Sequence, residues 1–340
     1  MRHDASGRDA PISIIGAGIA GLWQALLFAR AGHAVTLYER DDAAMSHATS
    51  HWAGGMLAPW CEREAADDVV ARLGIRSLAL WRETLPDLAF KGSLVVAHAR
   101  DRSDFERFAR MTEGHVRLDA AAIAGLEPAL EGRFREALHF PGEGHVEPRA
   151  VMPALRRLIA EAGGRILFGA ARDPDDLAGL VIDCRGLAGR DRAPALRGVK
   201  GETVLVETSE IAFTQPIRLL HPRWPLYVVP RSGNRFLVGA TTIESEGEGV
   251  SLRSAMELMT AAYALHPAFA EARIVELGSA LRPAFPDNHP RIAVAGRLIS
   301  VNGLYRHGFL IAPALAELTL SHVHQGSQGD LIDTEVMSWS

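Results

Sequence analysis

Cysteine is nearly absent from this 340-residue chain, which has only Cys61 and Cys184. Two thiols with no metal-ligand spacing and no framework of bridges fit a reducing, cytoplasmic compartment. Each reads as a small buried hydrophobe, and no metal site is expected. Massed positive charge is also missing: 36 Lys and Arg are scattered against 41 Asp and Glu, a net charge of -5. The chain therefore lacks the electrostatic footprint that nucleic-acid binding requires. No internal repeat and no low-complexity tract occurs. One uncharged stretch, Pro11 to Ala29, has the length of a membrane span or signal sequence. Its closely spaced glycines, Gly16, Gly18 and Gly21, and the mixed acidic and basic leader before it argue against both, so no membrane partner is expected.

With 48% hydrophobic and 23% charged residues the composition is that of a folded globular enzyme. The length accommodates about two domains at roughly 150 residues each. Ile12 to Ile15 reads as a strand, Gly16-Ala17-Gly18-Ile19-Ala20-Gly21 as a tight turn, and Leu22 to Ala31 as a helix closed by Gly32. Ala34 to Tyr38 makes a second strand, and Glu39 follows eighteen residues after Gly21. This is the dinucleotide fingerprint. Gly16 permits the turn, Gly18 lets the backbone approach a pyrophosphate, and Gly21 lets helix and strand pack closely. The phosphates then sit at the positive end of the helix, and Glu39 with its neighbour Arg40 faces the adenosine side. A carboxylate there accepts from ribose hydroxyls and repels a 2′-phosphate, which disfavours NADP. The motif by itself does not separate FAD from NAD.

Just beyond it lies a loop of small residues, Thr49-Ser50-His51-Trp52-Ala53-Gly54-Gly55-Met56-Leu57-Ala58-Pro59. Alone it reads equally as an ordinary glycine loop. Following the fingerprint, Gly55 to Pro59 resembles the Gly-Met-Leu-Ala-Pro segment of the glycine oxidase and D-amino-acid oxidase family, above all the glycine oxidases of thiamine biosynthesis. The resemblance implies a noncovalent FAD, since no cysteine lies in the last helical segment. It also implies that Thr49, Ser50, Ala53, Gly54, Gly55, Met56 and Leu57 border the cofactor.

The fold class implied is α/β: an FAD-binding Rossmann-like domain with an interleaved α+β substrate domain on a largely antiparallel sheet. Residues 1–75, 144–196 and 286–325 are expected to hold FAD, and 76–143 and 197–285 the substrate. Leu78 to Leu85 and Ala120 to Leu126 read as helices with polar surface strands or loops between them. Met152 to Ala162 reads as an amphipathic helix, and Arg165 to Phe168 and Leu180 to Cys184 as strands. Tyr227 to Arg231 and Arg235 to Ala240 form a hairpin across Ser232-Gly233-Asn234. A helix over Leu252 to Ala264 precedes a strand over Ile274 to Leu281. Leu298 to Val301 is the last strand, and Phe309 to His322 the last helix. The tail from His324 to Ser340 reads as loosely held. Gly186 reads either as a simple strand-end turn or, by the resemblance, as a close approach to the cofactor.

Spacing alone supports plain readings of the remaining polar residues: Arg282 a surface ion pair, Tyr227 a half-buried strand aromatic, Arg306 a partner of loop carbonyls. The resemblance assigns them to the site. Arg282 in Leu281-Arg282-Pro283 matches the arginine that forks onto the substrate carboxylate, Tyr227 the tyrosine supporting it, and Arg306 a second arginine beside flavin and substrate. His307, Gly308, Phe309 and Leu310 open a helix whose amino end, in the family, faces the pyrimidine edge of the flavin. Two positions depart from the family: Pro225 and Thr242 stand where a histidine and a methionine occur, which loosens a strict preference for glycine. The function implied is oxidation of a small amino acid, glycine first, with O₂ reduced to H₂O₂. The alternatives are an oxidase or dehydrogenase of sarcosine, proline or a D-amino acid, or a flavin-binding partner protein without turnover. A homo-oligomer, and hand-off of the imine to a thiazole synthase, are left open by the resemblance.

Overall fold

A computed structural model describes residues 11–64, 68–88, 90–221, 226–327 and 331–333. Pro225, the leader and residues 334–340 of the tail lie outside them. The chain divides into two compact units, Met1–Ala53, Pro148–Val199 and Leu281–Ser340 in one, Gly54–Glu147 and Lys200–Ala280 in the other. It thus changes unit after Ala53, Glu147, Val199 and Ala280, against crossings expected near residues 75, 143, 196 and 285.

The first unit is built on a seven-stranded sheet, ordered Ile332–Asp333, Arg291–Ala295, Leu298–Asn302, Leu180–Asp183, Ile12–Ile15, Val35–Tyr38, Arg165–Leu167. Ile12 pairs in parallel with Val35 on one side and Leu180 on the other. The apolar run Ile12–Ile15 suits that central place, where both faces are covered. From this strand the chain moves first to one side and later to the other, so the crevice outside the carboxyl ends of Ile12–Ile15 and Leu180–Asp183 is the topological switch point of the sheet.

The fingerprint helix runs over Ile19–Arg30 and begins three residues before the expected Leu22. Gly18 is its N-cap, with extended backbone angles, so the second half of the glycine motif is already helical. Leu22, Trp23, Ala25, Leu26 and Phe28 have no exposure at all, because helices Pro148–Glu161 and Gly308–Gln325 pack against this one. Val35–Tyr38 ends one residue before Glu39, as expected. The expected tail reading needs one correction: Ile332 pairs with Ile292, adding a short edge strand to the sheet.

The second unit is organised by an eight-stranded sheet, ordered Arg273–Ala284, Arg197–Glu207, Arg235–Gly239, Leu226–Arg231, Ile217–Leu220, Ser93–Ala97, Glu136–Phe140, Val116–Asp119. Its hairpin pairs Tyr227 with Gly239 and Arg231 with Arg235. Ile217–Leu220 runs parallel to its neighbour Ser93–Ala97. That strand corrects the expected polar surface stretch: Ser93, Leu94, Val95 and Val96 are buried in the middle of the sheet. On one face Leu94, Val96, Val228 and Val238 form a core with Leu258 and Leu265 of helix Leu252–Leu265. On the other, Val95, Leu138 and Leu220 pack with Phe105 and Phe108 of helix Arg102–Met111. Helix Asp68–Thr84 is longer than the expected Leu78 to Leu85, and Ala120–Leu126 has its expected bounds. Helix Pro148–Glu161 starts four residues early because Pro148 and Pro153 are both accommodated in it. Strand Arg273–Ala284 extends past Leu281, so Arg282 belongs to the strand itself.

Candidate active site

The three fingerprint glycines are needed for three different reasons. Gly16 has φ +94, and a Cβ there would lie 2.7 Å from the Cys184 carbonyl oxygen at the end of the neighbouring strand. A Cβ on Gly21 would lie 1.8 Å from the Gly16 carbonyl oxygen, so helix and turn touch backbone to backbone. A Cβ on Gly18 would meet only Ser50 Oγ, at 3.4 Å. The protein therefore fills the space at Gly16 and Gly21 and leaves it open at Gly18, at the amino end of the helix. Such a cradle fits a dinucleotide pyrophosphate, which needs backbone N–H groups and no side chain in front of them. Ser50 closes one edge by accepting a hydrogen bond from Ile19 N at 3.0 Å, while Ala20 beside it stays half-buried.

Glu39 is buried and already has work to do. Its Oε2 accepts from Ala17 N at 2.6 Å and its Oε1 from Asp41 N at 3.0 Å, which ties the fingerprint turn to the end of the second strand. Each carboxylate oxygen keeps a further lone pair for a hydroxyl. Arg40 instead stands exposed beside Asp41, 3.9 Å away.

Later segments of the same unit gather around this turn. Thr49 Oγ1 donates to the Leu281 carbonyl at 2.8 Å, and Tyr305 N donates to the Pro283 carbonyl at 3.0 Å. The Leu281–Pro283 segment, with Arg282 in it, is thereby held between Thr49 and the loop carrying Arg306. Gly186, with φ +59, faces Pro283 and accepts from Asn302 Nδ2 at 2.9 Å. Gly308 lies beside Ile19, where a Cβ would come 3.3 Å from Ile19 Cγ2. Further along the two helices, Gln24 Nε2 donates to Thr319 Oγ1 at 3.0 Å. Helices Ile19–Arg30 and Gly308–Gln325 thus run side by side with their positive ends together. His307, Phe309 and Leu310 are buried at the second of these ends, and Arg306 is exposed.

Gly54, Gly55, Met56 and Leu57 belong to the other unit, as does Tyr227. There Met56 and Tyr227 pack with Val229, Leu205 and Leu237, and Met56 pairs with His145 in a two-stranded ribbon. A Cβ on Gly54 would lie 3.1 Å from Tyr227 Oη. Burial, then the charges of Arg231 and Lys91, push His145 down to about 4, so this imidazole is neutral at physiological pH.

Three polar residues escaped the sequence reading. Asn302 is buried, bonds Gly186, and accepts from Gly303 N at 2.9 Å. Arg231 donates to the Gly54 carbonyl at 2.7 Å. Glu143 accepts from Trp60 N at 2.9 Å and Cys61 N at 2.8 Å, and takes the Ser93 hydroxyl on its other oxygen. Burial pushes its carboxyl up to about 7. Asn302-Gly303 is a turn dipeptide and offered a local signal; the partners of Arg231 and Glu143 are remote in sequence and offered none. Among the described residues no group of three His, Cys, Asp or Glu side chains could hold a metal ion, and no helix is long and apolar enough to cross a membrane.

Comparison with known proteins supplies the family. The chain is 51% identical over 307 residues, 90% of its length and 94% of the relative's, to a Rhizobium etli protein named as a thiamine biosynthesis oxidoreductase, ThiO. It is 26% identical to a glycine oxidase of Geobacillus kaustophilus over 89% of each chain. The crystal structure of glycine oxidase from Geobacillus kaustophilus has the same fold, with a TM-score of 0.78 and 24% identity over 95% of this chain and 96% of that one. A family model described as FAD dependent oxidoreductase matches residues 12–321, from the first strand of the fingerprint into the last helix. The open backbone at Gly18 is what that cofactor requires, and the chain belongs to the family of FAD-dependent oxidoreductases.

Proposed function

We propose that this flavoenzyme oxidises the amine of a small amino acid, glycine first. The observation that carries the reading is the 51% identity across nearly the whole of both chains to the thiamine biosynthesis oxidoreductase relative. Noncovalently bound FAD supplies the two-electron acceptor for the Cα–N bond and passes the electrons to O₂. Glycine, water and O₂ then give glyoxylate, ammonia and H₂O₂, or the imine passes unhydrolysed to a thiazole synthase in the cytoplasm.

In this reading the chain's residues bind, orient and hold charge. Arg282 forks onto the substrate carboxylate with two charge-assisted hydrogen bonds, and the Tyr227 hydroxyl donates a further one. Arg306 adds positive charge near the ring. Gly18, Ser50 and Gly186 with Thr49 and Ala53 receive the cofactor, and Glu39 receives its ribose. The amino end of helix Gly308–Gln325 stabilises negative charge on the reduced ring. The unit with the fingerprint is then the FAD domain, and the unit with Tyr227 the substrate domain. The amine enters neutral, so none of these groups has to act as a general base.

The test is peroxide release by the purified yellow protein over a panel of glycine, sarcosine, proline and D-alanine. Glycine should lead the panel. A preference for any other member moves the assignment to that amine, and flavin without turnover on the whole panel refutes the oxidase reading.

A further inference from the structure

We propose that Arg231 is a positioning residue for Tyr227 and acts through the Gly54 peptide; the inference rests on the reading of Tyr227 as a ligand of the substrate carboxylate. The two side chains are four residues apart on strand Leu226–Arg231 and share one face of it by the two-residue period. Between them on that face, Val229 packs in the same small apolar cluster as Tyr227 and Met56.

Gly54 is gripped from two directions. Its carbonyl accepts from Arg231 Nη2 at 2.7 Å, while its α-carbon faces the tyrosine, where a Cβ would lie 3.1 Å from both Cε2 and Oη. The next residue is fastened as well, since Val146 N donates to the Gly55 carbonyl at 2.8 Å and Arg231 Nη1 reaches the Val146 carbonyl at 3.4 Å. The phenol edge is bounded again by Gly239, where a Cβ would lie 3.1 Å from Cε2 and Cζ.

The ring and its hydroxyl thus rest against two glycine α-carbons. A Gly-Gly pair has more backbone freedom than any other dipeptide, so Gly54 serves as a rigid stop only if its peptide is fastened. Arg231 provides the fastening. A planar guanidinium can donate to the Gly54 and Val146 carbonyls together, which joins the small-residue loop to the ribbon and to the strand bearing the tyrosine. Losing it leaves the phenol in place as a residue and loosens its hydroxyl, the usual consequence of an unsupported site side chain.

The experiment is a double-mutant cycle on kcat/KM for the amino acid the wild type oxidises fastest, with flavin absorbance as the measure of occupancy. Tyr227→Phe should lower kcat/KM by about tenfold or more, the loss of a hydrogen bond to a charged group. Arg231→Ala should lower it by about fivefold to tenfold with FAD retained, and the double variant should stay within about twofold of Tyr227→Phe alone, because the two changes remove one interaction. Arg231→Lys keeps a donor for the Gly54 carbonyl and should recover part of the loss. If Arg231→Ala does not fold, Arg231→Gln replaces it in the cycle, since its shorter amide lacks the planar fork that spans the Gly54 and Val146 carbonyls. Full additivity of the two changes, with Tyr227→Phe impaired, overturns the positioning role and leaves the tyrosine assignment standing. A silent Tyr227→Phe, or a wild type that oxidises nothing, overturns the functional reading and this inference with it.

Discussion

At the scale of single residues the glycine motif separates folding from binding. Gly21→Ala puts a methyl carbon 1.8 Å from a backbone oxygen, which no side-chain movement can relieve, so the apoprotein should be destabilised and flavin lost together. Gly18 has φ -63, an ordinary value for any residue, and its added Cβ would make only a van der Waals contact with Ser50. Gly18→Ala should therefore melt like the wild-type apoprotein while retaining much less FAD, because the methyl occupies the place of the pyrophosphate. Thermal melts of both apoproteins beside the flavin content of both preparations make the comparison; a Gly18→Ala protein with full flavin would place the phosphates elsewhere. Arg282 belongs to the same scale. A buried bidentate contact to a carboxylate is worth on the order of 2 to 5 kcal/mol when one partner is removed, so Arg282→Ala should cost more than about tenfold in kcat/KM. Arg282→Lys should also be impaired, since an ammonium cannot reproduce the fork. Near-normal turnover by the alanine variant would shift the carboxylate assignment to Arg306.

At the scale of elements, Glu143 shows how a carboxyl far from the fingerprint orders the small-residue loop. It closes the turn after Gly-Met-Leu-Ala-Pro by accepting two backbone N–H groups, and it is anchored through Ser93 to the central strand Ser93–Ala97. Burial raises its pKa from 4.5 to about 7, so between those values the folded protein binds a proton that the unfolded chain has released. The stability this group contributes is complete below about pH 4.5 and is lost as pH rises through about 7. Glu143→Gln keeps the acceptor for Trp60 and Cys61 and cannot ionise. Its advantage over wild type should grow by up to about 3 kcal/mol between pH 5 and pH 8, read as the difference in denaturant midpoints at each pH. A difference that does not change with pH would falsify the buried-carboxyl account. Elements such as these also divide what a sequence reveals from what it hides. Ile12–Ile15, the glycine turn and the hairpin at Ser232 were legible because local rules specify them: β-branched runs, positive-φ glycines, a short turn between apolar strands. Thr49, Gly186 and Gly308 were legible as cofactor candidates only through resemblance, and the structure adds that they gather about one turn. Ser93–Ala97 was hidden because a short strand buried on both faces carries no alternation, and Glu143 and Arg231 because their partners are 82 and 177 residues away.

At the scale of the whole molecule, the order of strands makes the fingerprint dependent on the far end of the chain. The turn at Gly16 lies against Cys184, and strand Leu180–Asp183 has Leu298–Asn302 as its other neighbour. The fingerprint helix buries Leu22, Trp23, Leu26 and Phe28 completely, and one of the helices packed against it is Gly308–Gln325. A fragment ending at Val199 contains the full motif, its helix, Glu39, the small-residue loop and Gly186. It lacks strand Leu298–Asn302, the helix over Gly308–Gln325 and Asn302, the donor to the Gly186 carbonyl. Fully burying an aliphatic or aromatic side chain contributes roughly 1.5 to 3 kcal/mol, so uncovering even part of that helix removes an amount comparable to the stability of a whole domain. The fragment should be insoluble or molten and should bind no FAD, whereas a chain truncated after residue 327 should bind it normally. Flavin fluorescence quenching on adding FAD to each purified protein gives the readout. A soluble, cooperatively folding fragment 1–199 that quenches FAD would mean that the first half of the sheet is an autonomous nucleotide-binding module, and that the later strands serve the substrate side alone.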